Sequence, residues 1–225
     1  VLASSLGMDK AYTKIIFSKA ELPQTPYIYI RKTENEYKII NDNFEIEEFK
    51  IEKIVEKLKF PMFIKPSNSG SSIGVKKANN KEELKMAIDN AGQYDNKILI
   101  EQGIDAKEVE CAILDGEKVT ASTIGEILPA EEFYSFDAKY NLPESKTVIP
   151  ANIKEEQIQK IQQMAIKAFK AIDGRGLARV DFFIENNTNK IYINEINTMP
   201  GFTQISMYPK LFENMGITYT ELLDK

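Results

Sequence analysis

Two β-rich runs near the C-terminus, LARVDFFIE over 177–185 and KIYINEIN over 190–197, are separated only by NNTN. So short a connection joins antiparallel neighbours and leaves no room for a crossover between parallel strands. Alternation puts Arg179, Asp181 and Phe183 on one face of the first run and Val180, Phe182 and Ile184 on the other. In the second run residues 193, 195 and 197 share a face. Asp181 can oppose Glu195 only across an odd-length connection or a bulge, so a three- or five-residue connection around Asn187 is expected. That register gathers Asp181, Glu195 and Asn197 beside Arg179, three oxygen donors of the kind Mg²⁺ takes. The competing reading is a polar strand face open to water, ending in the turn residues TMPG.

Around this hairpin the pattern is α+β. Met8, Ala11, Tyr12, Ile15 and Ile16 sit at helical spacing and predict a first helix that ends before Pro23. PYIYIRK and EYKII read as strands. FEIEEFKIEKIVEKLKF carries Phe49, Ile51, Ile54, Val55 and Leu58 on a helical stripe that stops at Pro61. MFIKP and SIGVKKA read as strands around a Ser/Gly loop, followed by a helix KEELKMAIDNA and strands KILIEQ and EVECAILD. KVTASTIGEI reads as a strand, EEFYSFDAKYNLPESKTV as a long loop and EEQIQKIQQMAIKAFKAI as an amphipathic helix. A boundary near Gly103 divides the chain into two α+β halves, 1–103 and 104–225, and an interface between such halves is where ligands tend to sit.

The 225 residues contain no histidine, which excludes Ser-His-Asp, Cys-His and His-metal chemistry. A formal net charge of −5 supplies no basic surplus for nucleic acid or a membrane surface, so an anionic ligand must be met by individually placed Lys or Arg. One cysteine, Cys111, cannot form an internal disulfide, and no apolar run approaches the roughly 20 residues of a membrane span. A cytoplasmic setting follows as the expectation. VLASSLGMDK has no initiator Met and no signal-peptide pattern, so a truncated or processed chain is expected. Buried core is the simplest role for Cys111, Tyr134, Phe182 and Phe183, and a turn for the NNT sequence at Asn186.

KPSNSGSSIGV places Lys65 at a strand end before small residues whose N–H groups can approach phosphate oxygens closely. It lacks the Gly-Lys-Ser/Thr of a Walker A loop, and a surface turn is an equally ordinary use of Gly and Ser. Lys65 lies in the apolar run FPMFIK, and if it points inward it needs an anionic partner.

The fragments MDK, FIKPSNSGSSIGV, LIEQGI followed by EVEC, AKY, GLARVDFF and NEINTMPGFTQISMYP stand in the order and spacing of the bacterial D-alanine-D-alanine ligases. The sequence resembles that family of the ATP-grasp superfamily over essentially its whole length, and the NTMPGFT and SMYP segments are its most specific marks. The resemblance implies an ATP-grasp fold, two α+β subdomains with the nucleotide between their sheets. It implies that Lys10, Lys65 and Lys139 contact ATP phosphates, with Ser72 in the phosphate loop. Glu101, Gln102, Gly103 and Ile104 form the adenine hinge, and Glu108 meets the ribose. Ser71 and Tyr140 close a loop over the substrate, Asp181, Glu195 and Asn197 hold Mg²⁺ or Mn²⁺, and Ser206 and Met207 belong to the acceptor end. Arg179 and the Gly201 N–H stabilise the oxyanion.

The implied reaction joins two D-alanines through an acyl phosphate, for peptidoglycan precursors, in a cytoplasmic enzyme that works as a homodimer and touches neither nucleic acid nor membrane. Relatives that make D-alanine-D-lactate or D-alanine-D-serine commonly have Arg where Met207 stands. Family members also carry a preceding Rossmann-like domain that contributes a Glu and a His near the first D-alanine, so this fragment is expected to bind ATP yet be incomplete for catalysis. Another ATP-grasp carboxylate-amine ligase and a non-catalytic nucleotide-binding module are the alternatives.

Overall fold

A computed structural model of the chain describes residues 1–34, 36–41, 43–128, 146–203 and 205–225. It divides into two compact units, one of residues 8–15 and 25–104, the other of residues 1–7, 16–24 and 105–225.

In the first of these units strands β1 (Tyr27–Lys32), β2 (Tyr37–Ile40), β3 (Ile46–Glu48), β4 (Met62–Pro66), β5 (Lys76–Ala78) and β6 (Lys97–Gln102) form one sheet in the order β3-β2-β1-β6-β4-β5. Every neighbouring pair is antiparallel. Alternation sends Ile28, Ile30, Met62, Ile64, Ile98 and Ile100 to one face, where helices α3 (Ile51–Lys57) and α4 (Lys81–Ala91) cover them with Ile54, Leu84, Ala87 and Ile88. Asn80 caps α4 by accepting from the Glu83 N–H at 2.8 Å. The apolar stripe expected to make one helix of 44–58 is split: 46–48 pair with β2 as an edge strand, and only 51–57 are helical. SIGVKKA is shorter as a strand than its composition suggests, because Ser71 and Ser72 take left-handed backbone angles of φ 50° and 60° and turn the chain before Lys76.

The other unit is a five-stranded antiparallel sheet, β11-β10-β7-β8-β9, of β7 (Ala106–Leu114), β8 (Thr120–Leu128), β9 (Lys146–Val148), β10 (Leu177–Glu185) and β11 (Ile191–Asn197). KTV, expected as part of a loop, is thus an edge strand on β8. One face packs Val109, Cys111, Val180, Phe182 and Ile184 against helix α5 (Glu155–Ala171). On the other face helix α6 (Met207–Glu213) lays Tyr208, Leu211 and Phe212 over Ala112 and Ile127. Gly125 permits that approach, since a Cβ there would fall 2.7 Å from Met207 Sδ.

Two short helices begin the chain, α1 (Leu2–Met8) and α2 (Lys10–Lys19), and α7 (Tyr219–Asp224) ends it. The single helix expected from Met8 breaks at Asp9, whose carboxylate accepts the Tyr12 N–H and so caps α2. The buried side of α2 is Ala11, Thr13, Lys14 and Phe17, while Met8 and Tyr12 are exposed. The stripe is rotated because Lys14 has an internal carboxylate to meet. No helix among the described residues is long and apolar enough to cross a membrane.

Candidate functional site

The β10–β11 hairpin does oppose Asp181 to Glu195, and Arg179 to Asn197. A bulge at Asp181/Phe182 changes the register, so that Ile193 faces Phe182 and Asn194 is passed over. Five residues separate β10 from β11, yet the Glu185 N–H donates to Lys190 O at 2.9 Å, so the connection itself is even and the bulge alone supplies the parity. Ile193 therefore does not share the face of Glu195 and Asn197: it is buried in the core beside Phe182. Burying Ile193 and Ile196 together requires this extra residue between them. Phe183, expected in the core, lies on the charged face and is half-buried.

On that face Asp181 also opposes Glu110 of β7. Arg179 makes a bidentate contact with Asp181, Nε to Oδ1 and Nη2 to Oδ2 both at 2.8 Å, and its Nε lies 3.3 Å from Glu110 Oε2. Burial works against the guanidinium, but Asp181 and Glu110, with Glu195 beyond them, outweigh it and hold Arg179 well above its ordinary range. Asn197 Oδ1 accepts the Met199 N–H at 3.0 Å, which fixes the start of the turn. Glu108 opposes Phe183, one step along the same face. Among the described residues no cluster of three or more His, Cys, Asp or Glu is arranged to hold a metal ion. Asp181, Glu195 and Asn197 are an all-oxygen donor set, and that chemistry fits a hard divalent cation.

In the unit of residues 8–15 and 25–104 the sheet face opposite the core carries Lys65 and Glu101 on adjacent strands. The expected anionic partner of Lys65 is a carboxylate of the chain: Lys65 pairs with Glu101 Oε2, and Lys14 Nζ lies 2.7 Å from Oε1. The Thr25 hydroxyl donates to Oε1 at 3.2 Å. Burial alone would raise the Glu101 carboxyl, but the Lys14 and Lys65 ammonium groups hold it well below the ordinary carboxylate range.

Asp9 ties the Ser/Gly loop to the start of α2. Its carboxylate accepts the Ser67 hydroxyl at 2.6 Å and pairs with Lys97. Ser67 in turn accepts the Ala11 N–H at 3.0 Å, and Lys10 Nζ donates to Ser69 O at 2.6 Å. Lys10 is thus held at the loop that contains Ser71 and Ser72.

Gln102 Oε1 accepts the Lys59 N–H at 2.9 Å, the Gly103 N–H donates to Pro61 O at 2.7 Å, and Ile104 is half-buried at the end of this segment. At the other end Ser206 Oγ accepts the Thr203 N–H at 3.0 Å. A Cβ at Gly201 would fall 2.8 Å from that Oγ, so a side chain there would displace the Ser206 hydroxyl. Met207 is buried with Tyr208 in the first turn of α6. Lys139, Tyr140 and Tyr134 lie outside the described residues.

Sequence reasoning passed over Lys14, Asp9 and Glu110. A lysine three residues from Ala11 and from Phe17 interrupts an apolar stripe, and an Asp directly before a helix is a capping signal. Glu110 could have been found from strand alternation with Glu108.

The family described as D-ala D-ala ligase C-terminus matches residues 16–225. The chain is 54% identical over its full length to a D-alanine--D-alanine ligase of Acetivibrio thermocellus, covering 58% of that protein. To one of Heliobacterium modesticaldum it is 48% identical, covering 59%. It therefore spans about three-fifths of the length of these curated relatives. Among solved structures it resembles the VanG D-Ala:D-Ser ligase from Enterococcus faecalis with a TM-score of 0.84 at 32% identity, over 100% of this chain and 62% of that one. It resembles the D-alanine-D-alanine ligase from Coxiella burnetii with a TM-score of 0.80 at 30% identity, over 100% of this chain and 56% of that one.

Proposed function

The chain belongs to the D-alanine-D-alanine ligase family, as part of its C-terminal region with the ATP-grasp fold, and from that premise we propose that the whole protein joins two D-alanines at the expense of ATP. The observation that carries the reading is the buried Arg179–Asp181 pair with Glu195 directly across the strand, a cation and carboxylates held ready on one sheet face.

In this reading the γ-phosphoryl of ATP passes to the carboxylate of one D-alanine, giving an acyl phosphate and ADP. Lys10, Lys65 and Lys139 neutralise the phosphate oxygens, while backbone N–H groups at Ser71 and Ser72 approach them. Residues Glu101 to Ile104 contact the adenine, and Glu108 contacts the ribose. Tyr140 and Ser71 orient the bound substrate. The amine of the second D-alanine attacks the acyl carbonyl, phosphate leaves, and Arg179 with the Gly201 N–H stabilises the oxyanion between those steps. Asp181, Glu195 and Asn197 would hold Mg²⁺ or Mn²⁺, which when bound supplies charge neutralisation to the phosphates. Each Asp181 oxygen accepts one Arg179 N–H and keeps a second lone pair for the cation. Ser206 and Met207 shape the acceptor end, Met207 by seating α6.

Met207 in place of Arg favours D-alanine over D-serine or D-lactate as acceptor, as do the D-alanine--D-alanine ligases at 54% and 48% identity against 32% for the D-Ala:D-Ser ligase. The working setting is the cytoplasm, with peptidoglycan precursor synthesis as the role and a homodimer as the assembly.

The test is phosphate release by the full-length protein with Mg-ATP, with and without each D-amino acid, together with identification of the dipeptide. D-alanine should stimulate release and D-alanyl-D-alanine should accumulate, with Asp181→Asn weakening the metal-dependent rate. No response to any D-amino acid would overturn the reading in favour of another carboxylate-amine ligase or a binding module.

A further inference from the structure

Lysine is almost never buried without a partner, and Lys14 is sealed on a helix face with a ring and a carboxylate around it. Its side chain is 3% exposed, against 5% for Glu101 and 16% for Lys65. Its Nζ also stands 5.3 Å from the Tyr27 ring centroid. Both oxygens of Glu101 are thus divided between two ammonium groups, and only one of those, Lys65, is reachable from outside.

We propose that Lys14 is a positioning residue for nucleotide binding: by keeping Oε1 of Glu101 paired, it frees Lys65 to leave Oε2 for a phosphate oxygen. The inference rests on the reading of Lys65 as a phosphate contact. Without Lys14, moving Lys65 to a phosphate leaves the buried Glu101 carboxylate with the Thr25 hydroxyl and no ammonium group. Stranding one member of a buried pair is far costlier than exchanging partners within a compensated cluster. The accessible lysine binds, and the sealed one keeps it available.

The experiment measures KM for ATP and kcat in the full-length enzyme at saturating D-alanine. Lys14→Met should raise KM for ATP about tenfold to hundredfold, the factor of one charge-assisted hydrogen bond, with a smaller change in kcat. Lys14→Arg, which keeps the charge, should restore most of the loss. In a Glu101→Gln background the same Lys14→Met change should alter KM little, because no carboxylate remains to detain Lys65. If Lys14→Met does not melt cooperatively, Lys14→Gln takes its place with the same expectations. An unchanged KM in the Lys14 variant, or an equal loss in both backgrounds, overturns the proposal. Lys65→Met separates the two levels. If it leaves KM for ATP unchanged, the phosphate reading falls and this proposal with it; if it raises KM while the Lys14 variant behaves as the parent, only this proposal falls.

Discussion

Replacing Arg179 with Met keeps most of the side chain's length and removes its charge. The residue bridges Asp181 and Glu110, which are 2% and 4% exposed, with contacts of 2.8 Å and 3.3 Å. After the change Asp181 loses its bidentate partner and Glu110 loses the guanidinium 3.3 Å away, while the two carboxylates stay opposed across β7 and β10. Removing one partner of a buried ion pair costs about 3–5 kcal/mol, most of it the desolvation of the charge left behind. At about 2–4 °C per kcal/mol, the melting midpoint should fall by roughly 6–20 °C. Arg179→Lys should recover only part of this, because an ammonium cannot make the two parallel N–H contacts. Adding Asp181→Asn to Arg179→Met removes one of the stranded charges, so the double variant should be more stable than the sum of the single effects by at least about 1 kcal/mol. Urea unfolding of the parent, Arg179→Met, Arg179→Lys, Asp181→Asn and the double variant at neutral pH measures all of these differences. A loss under about 1 kcal/mol in Arg179→Met is the range of a solvent-exposed pair and would refute the reasoning, as would strict additivity.

Glu101 gives a pH-dependent counterpart. Its folded value lies below the ordinary 4.5, so its contribution is complete above that pH and is lost as the pH falls further. Glu101→Gln should therefore be destabilised by about 3–5 kcal/mol at pH 7, with the gap to the parent narrowing below about pH 4.5; a gap that stays constant in urea titrations carried from about pH 7 down to about pH 2 contradicts the assignment. Burial pushes the Cys111 thiol up to about 12, so at pH 8 a thiol reagent should label it only as fast as the protein unfolds, and rapid labelling of the native protein would show the site to be open.

The strand pattern of the second half was legible in the residues, because a half-buried strand writes its burial as alternation. Leu177–Glu185 and the buried stripe of Glu155–Ala171 follow directly from side-chain period. The pairing of Asp181 with Glu195 was legible too, since parity permits it only with an insertion. Where that insertion lies was not legible. Ile193, Ile196 and Phe182 all seek one core, and only their simultaneous burial puts the extra residue at Asn194. The short strand at Ile46–Glu48 escaped for a different reason: it closes a local hairpin on Lys38–Ile40, but the composition of 44–60 favoured a helix. Lys65 was marked by its apolar surroundings as a cation in need of an anion. That the anion is Glu101, shared with a lysine from a different element, depends on three segments meeting in space. Alternation and helical spacing are properties of neighbours along the chain, which is why most elements and their faces could be read from the residues. Charge partners are properties of neighbours in space, and those emerge once the segments have packed.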